Sequence, residues 1–153
     1  MLQRIQSVYL FIVTVLMALM TFMPIGGFLI GTDSVVLKMC GFCDSTSALA
    51  SAWGLVLTVI PAAILPFVTI FLYKKRLLQF RLCVVEMILL CGVILFEIFY
   101  MWLGYRNFSD LPLTAASIRM AALFPVISLI FTWLALRGVK KDIMLLKSMD
   151  RIR

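Results

Sequence analysis

Four long, unbroken apolar stretches limit what this chain can become. They run over Ile5–Met23 and about residues 48–73, 82–105 and 113–136. About 20 apolar residues cross the roughly 30 Å hydrocarbon core of a bilayer as a helix. Peptide groups in lipid must be satisfied within the segment, so each stretch is expected to be helical. A barrel would need short alternating segments, whereas these runs are continuous. Composition points the same way. Hydrophobic residues make up 64% of the chain and charged residues 14%, against about 45–50% and about 25% in soluble domains. The expected fold class is all-α: one integral membrane domain over 1–153, a four-helix bundle.

The first apolar run is longer than the 7–15 residues usual in a secretory signal, and no A-x-A site precedes Pro24, so it is read as a retained helix. Lys and Arg set the orientation. All of them lie before the first span, between the second and third, or after the fourth, except Lys38, Arg106 and Arg119. Both termini are therefore expected on the cytoplasmic side. The Tyr and Trp residues agree, with Tyr9, Tyr73 and Trp133 at inner span ends and Trp53, Tyr100, Trp102 and Tyr105 at outer ones.

The longest outer loop, 24–47, carries Gly-Gly and Gly-Thr-Asp punctuation around "SVVLKM", which allows a short hairpin. Asp44, Ser45 or Thr46 is a candidate cap for the second helix, and Asp110 for the fourth. Short connections favour an up-down bundle. The tail, 137–153, reads as a separate amphipathic helix lying at the membrane surface. Val139, Ile143, Leu146 and Met149 share one face; Lys140, Lys141, Lys147 and Arg151 share the other. With Arg137, these basic residues are the candidate contact for anionic headgroups or a protein partner, at about 1 kcal/mol each near a charged surface.

Three charges fall inside predicted spans: Glu86 and Glu97 in the third, Arg119 in the fourth. A charge at a helix centre costs about 2.5–3.5 kcal/mol, so such groups face the bundle and pair. Glu97 and Arg119 fall at matching depth on antiparallel helices and are expected to form an ion pair. Glu86 is expected near Arg4, Arg81 or Arg137. The spacing from Glu86 to Glu97 is near three helical turns, so both carboxyls share one face with Leu90, Val93 and Tyr100. That arrangement is a structural pair or, alternatively, a proton or cation path.

Cys40 and Cys43 form a C-x-x-C in the outer loop. Such spacing supports thiol exchange, and four-helix quinone-linked, disulfide-generating oxidoreductases place a C-x-x-C similarly. Those enzymes relay through a second outer thiol pair, which "RNFSDLPLT" lacks. The chain has no histidine. This removes Ser-His and Cys-His nucleophile pairs, and Asp44 with two thiols does not close a tetrahedral metal site. No phosphate loop and no nucleic-acid module is present. No cofactor is implied.

"MLQRIQSVYLF", "YKKRLLQFRLC" and "LALRGVKKDIMLLKSMDRIR" together resemble the small four-pass bacterial inner-membrane proteins catalogued as a domain of unknown function. The resemblance implies a multi-pass protein of the cytoplasmic membrane and supplies no active site. The expected function is that of a non-enzymatic accessory or assembly subunit docking a partner through its basic cytoplasmic face. The alternatives are a thiol–quinone oxidoreductase using Cys40 and Cys43, and a small proton or ion carrier using Glu86, Glu97 and Arg119.

Overall fold

Buried positions spaced alternately three and four residues apart organise the helices. In a computed structural model describing residues 2–30, 33–43, 48–72, 76–108 and 113–150, α1 is Leu2–Phe22, α2 Trp53–Phe71, α3 Arg76–Phe108 and α4 Phe124–Asp150. Helix α1 buries Gln6, Leu10, Val13, Met17 and Met20; α2 buries Leu55, Val59, Ala62, Pro66 and Thr69. Helix α3 buries Gln79, Cys83, Glu86, Leu90, Val93, Glu97 and Gly104; α4 buries Pro125, Ser128, Thr132, Ala135, Val139 and Asp142. A repeat of about 3.5 residues keeps one seam facing its neighbours along a whole helix. Helix α1 packs on α2 and α4, and α3 packs on the same two, so the four close a ring in up-down order.

The remaining faces are apolar and open. Leu57, Ile88, Leu95 and Ile98 are each more than 60% exposed. A continuous belt of this kind is far larger than the patches soluble monomers tolerate. Three helical stretches are long and apolar enough to cross a membrane: Trp53–Phe71, Leu77–Asn107 and Met120–Met144. Only 28% of each spanning window is buried inside the protein, so most of its apolar surface faces outward. Helix α1 carries a shorter apolar stretch, Gln6–Phe22.

A five-stranded sheet sits at one end of the bundle, and the all-α expectation is corrected by it. The strands are β1 (Gly26–Ile30), β2 (Asp33–Lys38), β3 (Gly41–Cys43), β4 (Ala48–Ser51) and β5 (Leu113–Ile118). Their order is β4-β3-β2-β1-β5, with every pairing antiparallel. The β1–β2 hairpin was legible in the sequence; β4 and β5 were not. "ALAS" and "LTAASI" run straight into apolar helices, and alanine favours helix locally. Their pairing with β3 and β1 overrides that preference, because strand formation is decided by cross-strand neighbours. The second and fourth spans accordingly shorten at this end: α2 starts at Trp53, and a 3-10 turn, Met120–Leu123, precedes α4.

One face of the sheet closes the bundle. Phe28, Val35, Leu37 and Phe42 are buried in the main core cluster with Met17, Met20, Val59 and Val93. Gly104 of α3 makes room for this lid. A Cβ there would stand 2.7 Å from Phe42 Cε1 and 2.8 Å from Phe28 Cζ. The alternate residues Gly27, Leu29, Ser34, Val36 and Lys38 point to the other face, as strand periodicity requires.

At the opposite, open end two further expectations change. Helix α3 begins at Arg76, so Arg81 lies on a helix and not in a loop; nothing in "RLLQFRL" breaks one. The basic tail is no separate surface helix, because α4 continues without interruption to Asp150. Its Val139 and Asp142 stay buried, and Gly138 lets Gln6 approach: a Cβ at 138 would meet Gln6 Cγ at 3.0 Å. The cap candidates Asp44, Ser45, Thr46 and Asp110 lie outside the described residues.

Candidate functional site

The core changes character along the bundle axis. Its sheet-side half is mostly apolar, with Met17, Met20, Val59, Leu90 and Val93 fully buried and Glu97 buried beyond them. The half toward the open end gathers buried polar side chains, Gln6, Thr69, Gln79, Glu86, Ser128, Thr132 and Asp142. Most satisfy themselves. Gln6 Nε2 donates to Asp142 Oδ2 at 2.9 Å. Thr69 Oγ1 donates to the Leu65 carbonyl at 2.7 Å, and Thr132 Oγ1 to the Ser128 carbonyl at 2.8 Å. Three groups do not. Both carboxyl oxygens of Glu86, Oε1 of Glu97 and the hydroxyl of Ser128 are buried without a hydrogen-bond partner.

Cys83 packs with Leu10 and Ala135 in one small cluster, which aligns the rising α3 with the descending α4. From that level, at 1.5 Å per residue, Trp102 and Trp133 stand roughly 25 Å apart along the axis. Each carries an arginine one turn on: Arg106 lies 5.6 Å from the Trp102 ring centroid and Arg137 5.8 Å from that of Trp133. Aromatic rings with a cation beyond them favour the headgroup level, and the separation approaches the roughly 30 Å of hydrocarbon. On this scale Glu86 lies level with Trp133, and Glu97 lies inside the Trp102 end. The two carboxyls are therefore near opposite ends, on one buried face, with Leu90 and Val93 between them.

The expected Glu97–Arg119 ion pair is not formed. Arg119 is not in a spanning helix but extended (φ −95°, ψ 162°) between β5 and the 3-10 turn. Strand alternation turns it with Ser117 onto the outer face of the sheet, away from the core, and its side chain is exposed. Neither does Glu86 pair with Arg81 or Arg137. Those arginines project outward from their helices, while Glu86 is 1% exposed on the inner stripe. The side chain of Arg4 lies outside the described residues.

The sequence-predicted thiols are free. Cys40 is exposed in the β2–β3 turn, and Cys43 is half-buried on β3 with its Sγ 3.8 Å from the Gly41 carbonyl. Cys83 is buried and Cys91 faces outward from α3, so neither reaches the pair. No group of three or more potential metal ligands occurs among the described residues. Of the basic candidates, Arg137, Lys140 and Lys141 are exposed on α4; the Lys147 side chain and Arg151 lie outside the described residues. Sequence reasoning missed the Gln6–Asp142 bond and the Ser128–Thr132 pair. Their signal was there, since each falls on the three-and-four spacing of its helix.

Over residues 2–152 the chain matches a family described as a domain of unknown function (DUF4293). No curated protein and no solved structure matches it.

Proposed function

The chain belongs to this DUF4293 family, whose description names no activity, and on that premise we propose a non-enzymatic accessory or assembly protein of the bacterial inner membrane. It crosses four times with both ends cytoplasmic and docks an acidic partner through the basic end of α4. The observation that carries this reading is the clamp at the open end. Val139 and Asp142 hold one face of the helix against α1, and the opposite face presents Arg137, Lys140 and Lys141 on a fixed support. A rigid basic face suits recognition of a shaped acidic surface better than a loose tail does, because little ordering entropy remains to be lost.

The test is native purification with a photo-crosslinker at Lys141. A protein partner is expected to be captured by the wild type and lost when Arg137, Lys140 and Lys141 are all changed to Glu. Capture of anionic lipid alone, or of nothing, rejects docking of a protein.

A second reading, proton or cation carriage through Glu86 and Glu97, is favoured by their unpartnered oxygens, since intramembrane carboxyls of this kind commonly act in transport. The dry stretch at Leu90 and Val93 stands against a continuous path. Proton flux into liposomes, lost in Glu86→Gln and in Glu97→Gln, is the result this reading requires. The thiol–quinone alternative rests on Cys40 and Cys43 alone.

A further inference from the structure

We infer that the outer face of the sheet holds a binding site for a small oxyanion, the phosphoryl or carboxylate end of a water-soluble molecule, in a cleft over Gly27 beside Arg119. The cleft has a volume of about 130 Å³ and is lined by Gly27, Leu29, Ser34, Val36, Ser117 and Arg119. Gly27 is its floor, paired with Val36 on one side and Ser117 on the other. No left-handed backbone demands glycine there, since the one positive φ among the described glycines is at Gly41. What glycine supplies at 27 is space. A Cβ would stand 3.2 Å from Ser117 Oγ, 3.6 Å from Arg119 Nε and 3.8 Å from its Nη2. A hydroxyl and a guanidinium thus converge on the place a side chain would fill.

Among the described residues Arg119 has no ion-pair partner, and its side chain is exposed. Its planar fork matches the paired oxygens of a carboxylate or phosphate. Ser117 Oγ bonds the Gly27 carbonyl at a long 3.3 Å, a contact weak enough to yield to a charged acceptor. A second cation stands on the same face. Lys38 ends β2 and Arg119 follows β5, on either side of β1, and strand alternation turns both to the outer face, where both are exposed. Lys38 raises the local potential without crowding the cleft.

Size and place narrow the ligand. Sites for drug-sized molecules occupy about 300–1,000 Å³, so this cleft takes a head group and leaves the remainder outside. The face points away from the bundle, so lipid packed around the helices does not lie beneath it, and a soluble source is favoured over a headgroup.

The full chain in neutral detergent is titrated with inorganic phosphate and with acetate, following the Gly27, Ser117 and Arg119 amide resonances. Saturable shifts with either anion are expected. Arg119→Gln should weaken them at least about tenfold, the scale of a lost charge-assisted bond, with the helical content and melting of the wild type. Gly27→Val, which fills the floor, should also weaken them; Lys141→Gln should not. Shifts that do not saturate, or that survive equally in Arg119→Gln, overturn the site. Shifts seen only in phosphatidylglycerol nanodiscs, and with neither free anion, overturn the assignment to a soluble ligand.

Discussion

Gln6 and Asp142, near opposite ends of the chain, are joined by a buried 2.9 Å hydrogen bond that fastens α1 to α4. The amide donates and the carboxylate accepts, and both residues are more than 90% buried. Bonds to a charged group contribute about 1.5–3 kcal/mol, and removing one partner leaves the other unsatisfied. Gln6→Leu and Asp142→Ala are each expected to lower detergent stability by about that amount. The double variant should cost less than the two losses added, because the orphan left by each single change disappears. Thermal unfolding of the four proteins in one detergent measures the coupling. Strict additivity would show that the bond contributes nothing.

The lid depends on one missing side chain. Gly104 lies under Phe28 and Phe42, whose rings are 6.0 Å apart. A methyl group at 104 would sit within 3 Å of both. The rings are buried and hemmed in by the core, so they have little room to retreat. Overpacking of this kind costs about 1–3 kcal/mol. Gly104→Ala is expected to loosen the sheet before the bundle. Limited proteolysis should then cut within residues 26–51 faster than in the wild type while the far-UV helical signal is retained.

Much of this was readable from residues alone. The stripe carrying Glu86, Leu90, Val93 and Glu97 follows from helical spacing, and α3 buries all four. The sheet was mostly hidden. Ala48–Ser51 and Leu113–Ile118 are short, alanine-containing and continuous with apolar runs, so no local signal separates them from helix. Only their strand partners, Gly41–Cys43 just upstream of the first and Gly26–Ile30 far upstream of the second, make them strands. The misplacement of Arg119 follows from the same gap. Read on a helix, it falls at the depth of Glu97; on the end of β5 it turns outward. The tail was misread for a related reason. Its two-faced pattern fits a surface helix, but its apolar face is also the continuation of the α4 seam.

Glu86 is the most isolated polar group in the core, 1% exposed with neither oxygen partnered. Mutational data put the cost of such burial at about 1–3 kcal/mol. Methionine matches its length and adapts to irregular space. Glu86→Met is therefore expected to raise stability in detergent by about 1–3 kcal/mol, and Glu86→Gln to change it less, because the amide is still buried unbonded. A Glu86→Met protein that melts below the wild type would mean the carboxyl has a partner in the membrane, such as a bound water or cation, and would strengthen the transport reading.

The cysteines report both topology and redox role. Cys40 is exposed at the sheet end, Cys43 is half-buried, Cys83 is buried, and Cys91 faces the apolar belt. A membrane-impermeant maleimide applied to intact cells is expected to label Cys40 first and Cys43 more slowly. Cys83 should resist because of burial, and Cys91 because lipid covers it. In a background with Cys40 and Cys43 changed to Ser, Lys141→Cys should stay unlabelled until the cells are opened, since it lies at the open end of the bundle on the proposed cytoplasmic side. Labelling of Lys141→Cys in sealed cells would reverse the orientation and remove the proposed cytoplasmic docking face. The same reagent tests the oxidoreductase alternative. A working pair loses its label after oxidant and regains it after reductant within the turnover of the cell, whereas thiols without a redox role stay at one level through both treatments.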